Sequence, residues 1–108
     1  MLFIASDSDP DALEEQPGEI EAWLEEGERR GIRKFGNRLR PTEDATTLRI
    51  RNSKTLVTDG PFAESKEWVV GFDIIECDNL DEAIDFASRH PMARAGQIEI
   101  RPFWPAPA

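Results

Sequence analysis

The stretch WVVGFDIIEC, residues 68–77, carries the strongest strand signal in the chain. Side chains alternate across a strand, so Val70, Phe72 and Ile74 fall on one face and Val69, Gly71, Asp73, Ile75 and Cys77 on the other. Both sets are largely apolar, which predicts a central strand covered on both sides. Asp73 breaks the rule, a carboxylate inside an otherwise apolar strand.

Working outward, NLDEAIDFASRHP (79–91) predicts a helix. Asn79 is its cap, Glu82 completes a capping box, and Leu80, Ala83, Ile84 and Ala87 form its buried stripe. Pro91 stops it. GQIEIRPF (96–103) follows as the last strand, with Ile98 and Ile100 inward and Gln97, Glu99 and Arg101 outward. On the N-terminal side, TTLRIR and TLVTD flank Asn52-Ser53-Lys54, predicting a hairpin with a three-residue connection and one exposed face. IRKFGNRLRP (32–41) predicts an irregular strand bent at Gly36-Asn37. PGEIEAWLEEGERRG (17–31) predicts a helix with Pro17 at its first position, acids at its start and Arg29-Arg30 at its end. Ile20, Trp23, Leu24 and Gly27 make its buried stripe, and the glycine implies close packing over that spot. Leu2-Phe3-Ile4-Ala5 opens the chain as a short strand without polar alternation.

The order is strand, helix, strand, hairpin, strand, helix, strand. Without the hairpin this is an α+β, ferredoxin-like βαββαβ arrangement, with two helices on one face of an antiparallel sheet. Two helices cover only one face, yet residues 2–5 and 69–77 are apolar on both. A second copy of the sheet would cover the other, so a homodimer is expected. One domain, residues 1–103, precedes a Pro-rich tail at 104–108 in which Trp104 is placed to reach a partner subunit.

The net charge of −9 is unevenly laid out. Nine acids run from Asp7 to Glu26, with Glu28 following, and seven arginines crowd positions 29–51. An acidic first helix argues against nucleic-acid binding over that surface. One Cys and one His leave no set for a metal site, and no cofactor motif is present. No apolar run approaches the ~20 residues of a bilayer span, so a cytoplasmic protein without a membrane partner is expected.

LVTDGPFAESKE (56–67), GFDIIE (71–76), LDEAIDFA (80–87) and IEIRP (98–102) together resemble the YCII-related family, specifically the branch named for its Asp-Gly-Pro-Phe motif. The resemblance runs from about Thr46 to Phe103, roughly half of the chain. It implies a dimeric α+β barrel of ferredoxin-like subunits and, for this branch, an association with extracytoplasmic-function sigma factors. The wider family is discussed in terms of a His–Asp pair; the first helix here contains no His, so that pair does not carry over.

Several residues have both a structural and a chemical reading. Asp59-Gly60-Pro61-Phe62 suits a tight corner: Gly60 accepts positive φ, Pro61 fixes its own, and Phe62 pins the turn. Asp59 and Phe62 are otherwise rim residues of a ligand site. His90, the lone histidine, is either a cap at the end of the second helix or a general base. Asp73, Glu99 and Arg101 form a charged cluster of the sheet-to-sheet cavity if all three face it, or else an ion pair at the dimer interface or a solvent-exposed strand face. The expected role is small-molecule binding or an accessory function in a homodimer cavity. The alternatives are a metal-independent enzyme using His90 or Asp73 for proton transfer or elimination, and an interaction module in sigma-factor-linked regulation.

Overall fold

The computed structural model describes residues 1–6, 16–61 and 68–105. In chain order the elements are β1 (Leu2–Ala5), α1 (Glu19–Arg29), β2 (Arg33–Arg38), a 3-10 turn (Thr42–Asp44), β3 (Thr46–Arg51), β4 (Lys54–Asp59), β5 (Val69–Ile75), α2 (Leu80–Ser88), α3 (Met92–Ala95) and β6 (Gln97–Ile100). β2, β5, β1 and β6 lie side by side in that order, all antiparallel, and β3–β4 forms a separate two-stranded hairpin. The fold is the ferredoxin-like α+β arrangement with an inserted hairpin.

The helices take one face of the sheet. Leu2 and Ile4 join Trp23 of α1, Ile32, and Phe86 and Ala87 of α2 in the core, with Ile98 and Ile100 packed against them. The register then settles which half of β5 faces inward. Leu2 pairs Asp73 and Ile4 pairs Gly71, so both lie on the helix side; Phe3 pairs Phe72 and Glu99 on the open side. Asp73 therefore faces the helices, against the reading that puts it in a sheet-to-sheet cavity. A bulge between Ile4 and Ala5 also breaks the alternation: Val69 pairs Ala5, while Val70 packs against the core.

Local chemistry explains the elements and where they depart from expectation. α1 starts one residue past Gly18, whose φ of 83° lies in the left-handed region, so Pro17 stands before the cap rather than inside the helix. Asn79 caps α2 by accepting the Glu82 N–H at 2.8 Å, and the Glu82 carboxylate reaches back to the Asp78 N–H at 3.1 Å. The buried face of α2 is Ala83, Phe86 and Ala87, whereas Leu80 and Ile84 are exposed. Packing selects the face carrying Phe86, the bulkiest fully buried side chain. Pro91 does not end helical structure; it caps α3, the short helix after α2. The hairpin turn has two residues, Asn52 (φ 51°) and Ser53 (φ 63°), with Arg51 paired to Lys54; two positive φ values suit the twist of the flanking strands.

α1 and α2 are locked together by aromatic packing. The Trp23 and Phe86 rings stack at 4.4 Å, and the Trp23 indole N–H donates to the Phe86 carbonyl at 2.8 Å. Gly27 lets α1 close onto this pair: a Cβ there would sit 2.7 Å from Phe86 Cζ and 3.0 Å from Arg33 Cβ. Outside the core, Arg94 holds Glu19 at 2.6 Å and Arg89 holds Glu26 at 2.6 Å, tying the helices at their rims.

Gly27→Ala sets two effects against each other. Helix propensity favours alanine by about 1 kcal/mol, while overpacking against a fully buried ring costs about 1–3 kcal/mol. The net expectation is a lower urea midpoint with unchanged slope. A higher midpoint would mean that α1 and α2 are not in contact at this position.

Candidate functional site

A cleft of about 700 Å³ opens between the helix layer and the β2–β5 end of the sheet. Its apolar walls come from Ile20 and Leu24 of α1, Val70 of β5 and Met92 of α3. Its polar residues are Arg33, Asn37 and Arg38 of β2, Asp73 of β5 and His90. Each arrives there by register or helical phase. Arg38 pairs Gly71 and Gly36 pairs Asp73 across β2–β5, so this end of the sheet presents alternating glycine and charge. His90 follows Ala83, Phe86 and Ala87 at helical spacing and emerges on the same inward side.

Asp73 is 6% exposed, and a buried carboxylate needs a partner. Arg33 supplies it: its Nε–H donates to Asp73 Oδ1 at 2.8 Å. The guanidinium also faces the exposed Glu28 carboxylate at 3.9 Å. Burial pushes the Asp73 carboxyl above its ordinary value, against the hydrogen bond and charge of Arg33. Gly36 makes the pair possible. A Cβ on Gly36 would overlap Asp73 Oδ1 and stand 2.6 Å from the Phe72 carbonyl and 2.9 Å from Arg33 Nη2.

His90 is 5% exposed and packs edge-on to Trp23 with ring centroids 4.6 Å apart. Its Nδ1 accepts the Met92 N–H at 2.9 Å, satisfying one of the free donors that open α3. The imidazole thus caps the start of the next helix rather than the end of its own. That bond assigns the remaining proton to Nε2 in the neutral ring. Burial, reinforced by the charge of Arg33, lowers the His90 pKa to about 4. At neutral pH the ring is a hydrogen-bond donor through Nε2–H, and its Nδ1 lone pair is occupied. Such a ring polarises an oxygen better than it removes a proton.

The other sequence candidates fall elsewhere. Glu99 and Arg101 lie on the open face of the sheet, ion-paired at 2.5 Å, with the Arg101 guanidinium 5.1 Å from the Phe3 ring centroid. The sheet therefore separates them from Asp73; of the two readings, the three-residue cavity cluster does not form. Asp59 sits exposed at the end of β4, outside the cleft. Gly60 has φ 100°, as the corner demands; its N–H donates to the Ala45 carbonyl at 2.7 Å and its carbonyl accepts the Thr47 hydroxyl at 2.7 Å. Phe62 lies outside the described residues. Sequence reasoning passed over Arg33, Gly36 and Arg38 as site residues. Their signals were the crowding of arginine in this segment and the glycine read only as a bend.

The profile of the YCII-related domain matches residues 3–107, nearly the whole chain. The chain belongs to the YCII-related domain family. An uncharacterized protein of Rhizobium meliloti (strain 1021) is 51% identical over 67 residues, covering 60% of this chain and 54% of the relative. The match thus spans about half the length of that curated relative. No helix among the described residues is long and apolar enough to cross a membrane.

The His90 environment has a measurable consequence. A ring at about 4 when folded and 6.5 when unfolded binds fewer protons in the folded state between those values. Its stabilising contribution is complete above about pH 6.5 and is lost as pH falls toward 4. The expected loss is about 3 kcal/mol. In His90→Gln, where the titration is gone, the slope of unfolding free energy against pH should be shallower over this window. Equal slopes in urea titrations of the two proteins would place the imidazole in solvent.

Proposed function

We propose that this chain, a YCII-related protein of the Asp-Gly-Pro-Phe branch, binds a small organic molecule in the helix-side cleft and works as a homodimer. The observation that carries the reading is the Arg33–Asp73 pair with His90 in a cleft of about 700 Å³ whose walls are apolar. Apolar walls with a few convergent polar groups are the usual composition of a small-ligand site. A buried ion pair seldom adds net stability over an apolar filling, and here it leaves open a place that an apolar filling would close. The neutral imidazole supports a role in holding or polarising a ligand oxygen, in preference to His90 as a general base.

Surfaces left uncovered in one chain support the homodimer. Phe35 and Val69 on the open face are 57% and 47% exposed, and Phe72 packs against Phe35 at 5.7 Å. The hairpin adds Leu48, Ile50 and Val57, each more than 60% exposed. Such a two-stranded ribbon is marginal alone and gains by packing on another surface. The radius of gyration, 16.3 Å, exceeds the roughly 13 Å of a compact domain of this length. The regulatory association implied by the family branch has support only from the exposed acids Glu21, Glu25 and Glu28 on α1.

The two parts of the proposal separate experimentally because they use opposite faces of the sheet. Phe72→Glu should turn a dimer into a monomer in light scattering at micromolar concentration. Asp73→Asn should leave the mass unchanged and change the affinity of fragments at the cleft, because it removes the charge that holds Arg33. A wild-type monomer under these conditions would remove the homodimer, whereas cleft fragments insensitive to Asp73→Asn would remove the site.

A further inference from the structure

The charge within the cleft is opposite to that of the molecule. The chain carries a net charge of −9, which disfavours anions at its surface generally. The cleft is lined by two arginines, the half-buried Arg33 and the exposed Arg38 at its rim, against one carboxylate, Asp73. Asp73 is already engaged by Arg33, while Arg38 forms no ion pair among the described residues. Arg38 shares the inward side with Gly71, its partner across the sheet, so the strand opposite it contributes backbone and no side chain. A Cβ on Gly71 would lie 3.1 Å from the Asn37 carbonyl and 3.6 Å from Arg38 Cα. His90 contributes a second donor, because Nδ1 is held by the Met92 N–H and the proton resides on Nε2. The cleft thus offers a cation without an ion pair among the described residues, a neutral donor and apolar walls, with its one carboxylate engaged internally.

We infer that the ligand is a small organic carboxylate. Its carboxylate pairs with Arg38, its hydrocarbon or aryl body lies against Ile20, Leu24 and Met92, and the His90 Nε2–H serves any second oxygen it carries. Arginine suits this task because its planar fork matches a carboxylate with two parallel hydrogen bonds. The inference rests on the reading of the cleft as a small-ligand site and adds the charge class of what fills it.

The test is a titration of isotope-labelled full chain, followed through backbone amide shifts, with benzoate, phenylacetate and 3-phenylpropanoate. The matched amides and amines serve as comparison. At least one acid should shift the amides of Arg38, Gly71 and Met92 and bind about tenfold tighter than its amide. Arg38→Gln should abolish that preference while keeping the remaining spectrum dispersed and the protein folded. Amides or amines that bind the cleft as tightly as the acids would overturn the carboxylate class and leave the site standing. Acids that bind equally to Arg38→Gln would overturn the assignment of Arg38. No shift at the cleft from any probe at its solubility limit would overturn the site and the ligand class together.

Discussion

Much of this structure depends on one buried contact, Arg33 Nε–H to Asp73 Oδ1 at 2.8 Å. A carboxylate placed mid-strand on the inward side of a sheet is costly to desolvate unless a cation meets it. Arg33 meets it from the edge strand, so the pair fixes the side chain of β2 that enters the helix-covered layer. Gly36 must then be bare, because any side chain there would occupy the carboxylate's position. Gly71, two residues along β5, keeps the adjoining floor low. The result is a sheet that ends in backbone and charge on the same side where its other end supplies Leu2 and Ile4 to the core. A packed apolar contact at the same place would have closed the layer. Charge and glycine leave it open, and the cleft follows.

The helices are arranged consistently with that opening. Trp23 and Phe86 stack at 4.4 Å and draw α1 and α2 together over the apolar part of the sheet. Past Phe86, the inward side of α2 continues to His90, whose ring ends the aromatic contact and begins the polar one. By accepting the Met92 N–H, it anchors α3 beside the cleft. One residue thus joins core packing, a helix start and the cleft lining. This explains why its environment is dry enough to keep the ring neutral.

The alternation in residues 68–77 was legible as two sets of side chains, and the element order as a ferredoxin-like fold. Which set faces the helices was not, because both are apolar. The decision depends on pairing Leu2 with Asp73, a contact between distant parts of the chain. Asp73 stood out as a misfit, but Arg33 could not be singled out among the many arginines nearby. Its distinction is a position 40 residues from its partner that only the strand register brings into reach. The face of α2 was similarly ambiguous: Leu80 and Ile84 fit a helical stripe as well as Phe86 does. Ring stacking with Trp23 breaks the tie. α3 was missed because Pro91 was read as a terminator, although proline opens a helix as readily as it closes one.

The sheet also divides the molecule's chemistry. On the open side Glu99 and Arg101 neutralise each other at 2.5 Å, beside Phe3, Phe72 and Phe35. A self-paired charge among aromatic rings is a surface that can be covered with little electrostatic penalty, which suits contact with another protein surface. On the helix side the Arg33–Asp73 pair is also satisfied, while Arg38 forms no ion pair among the described residues and His90 carries its proton on Nε2. That surplus of donors distinguishes the inward cleft from the open face, where the charges satisfy each other. The two sides share strand β5 but not their side chains. Side chains on one side of the sheet can therefore be altered without disturbing those on the other.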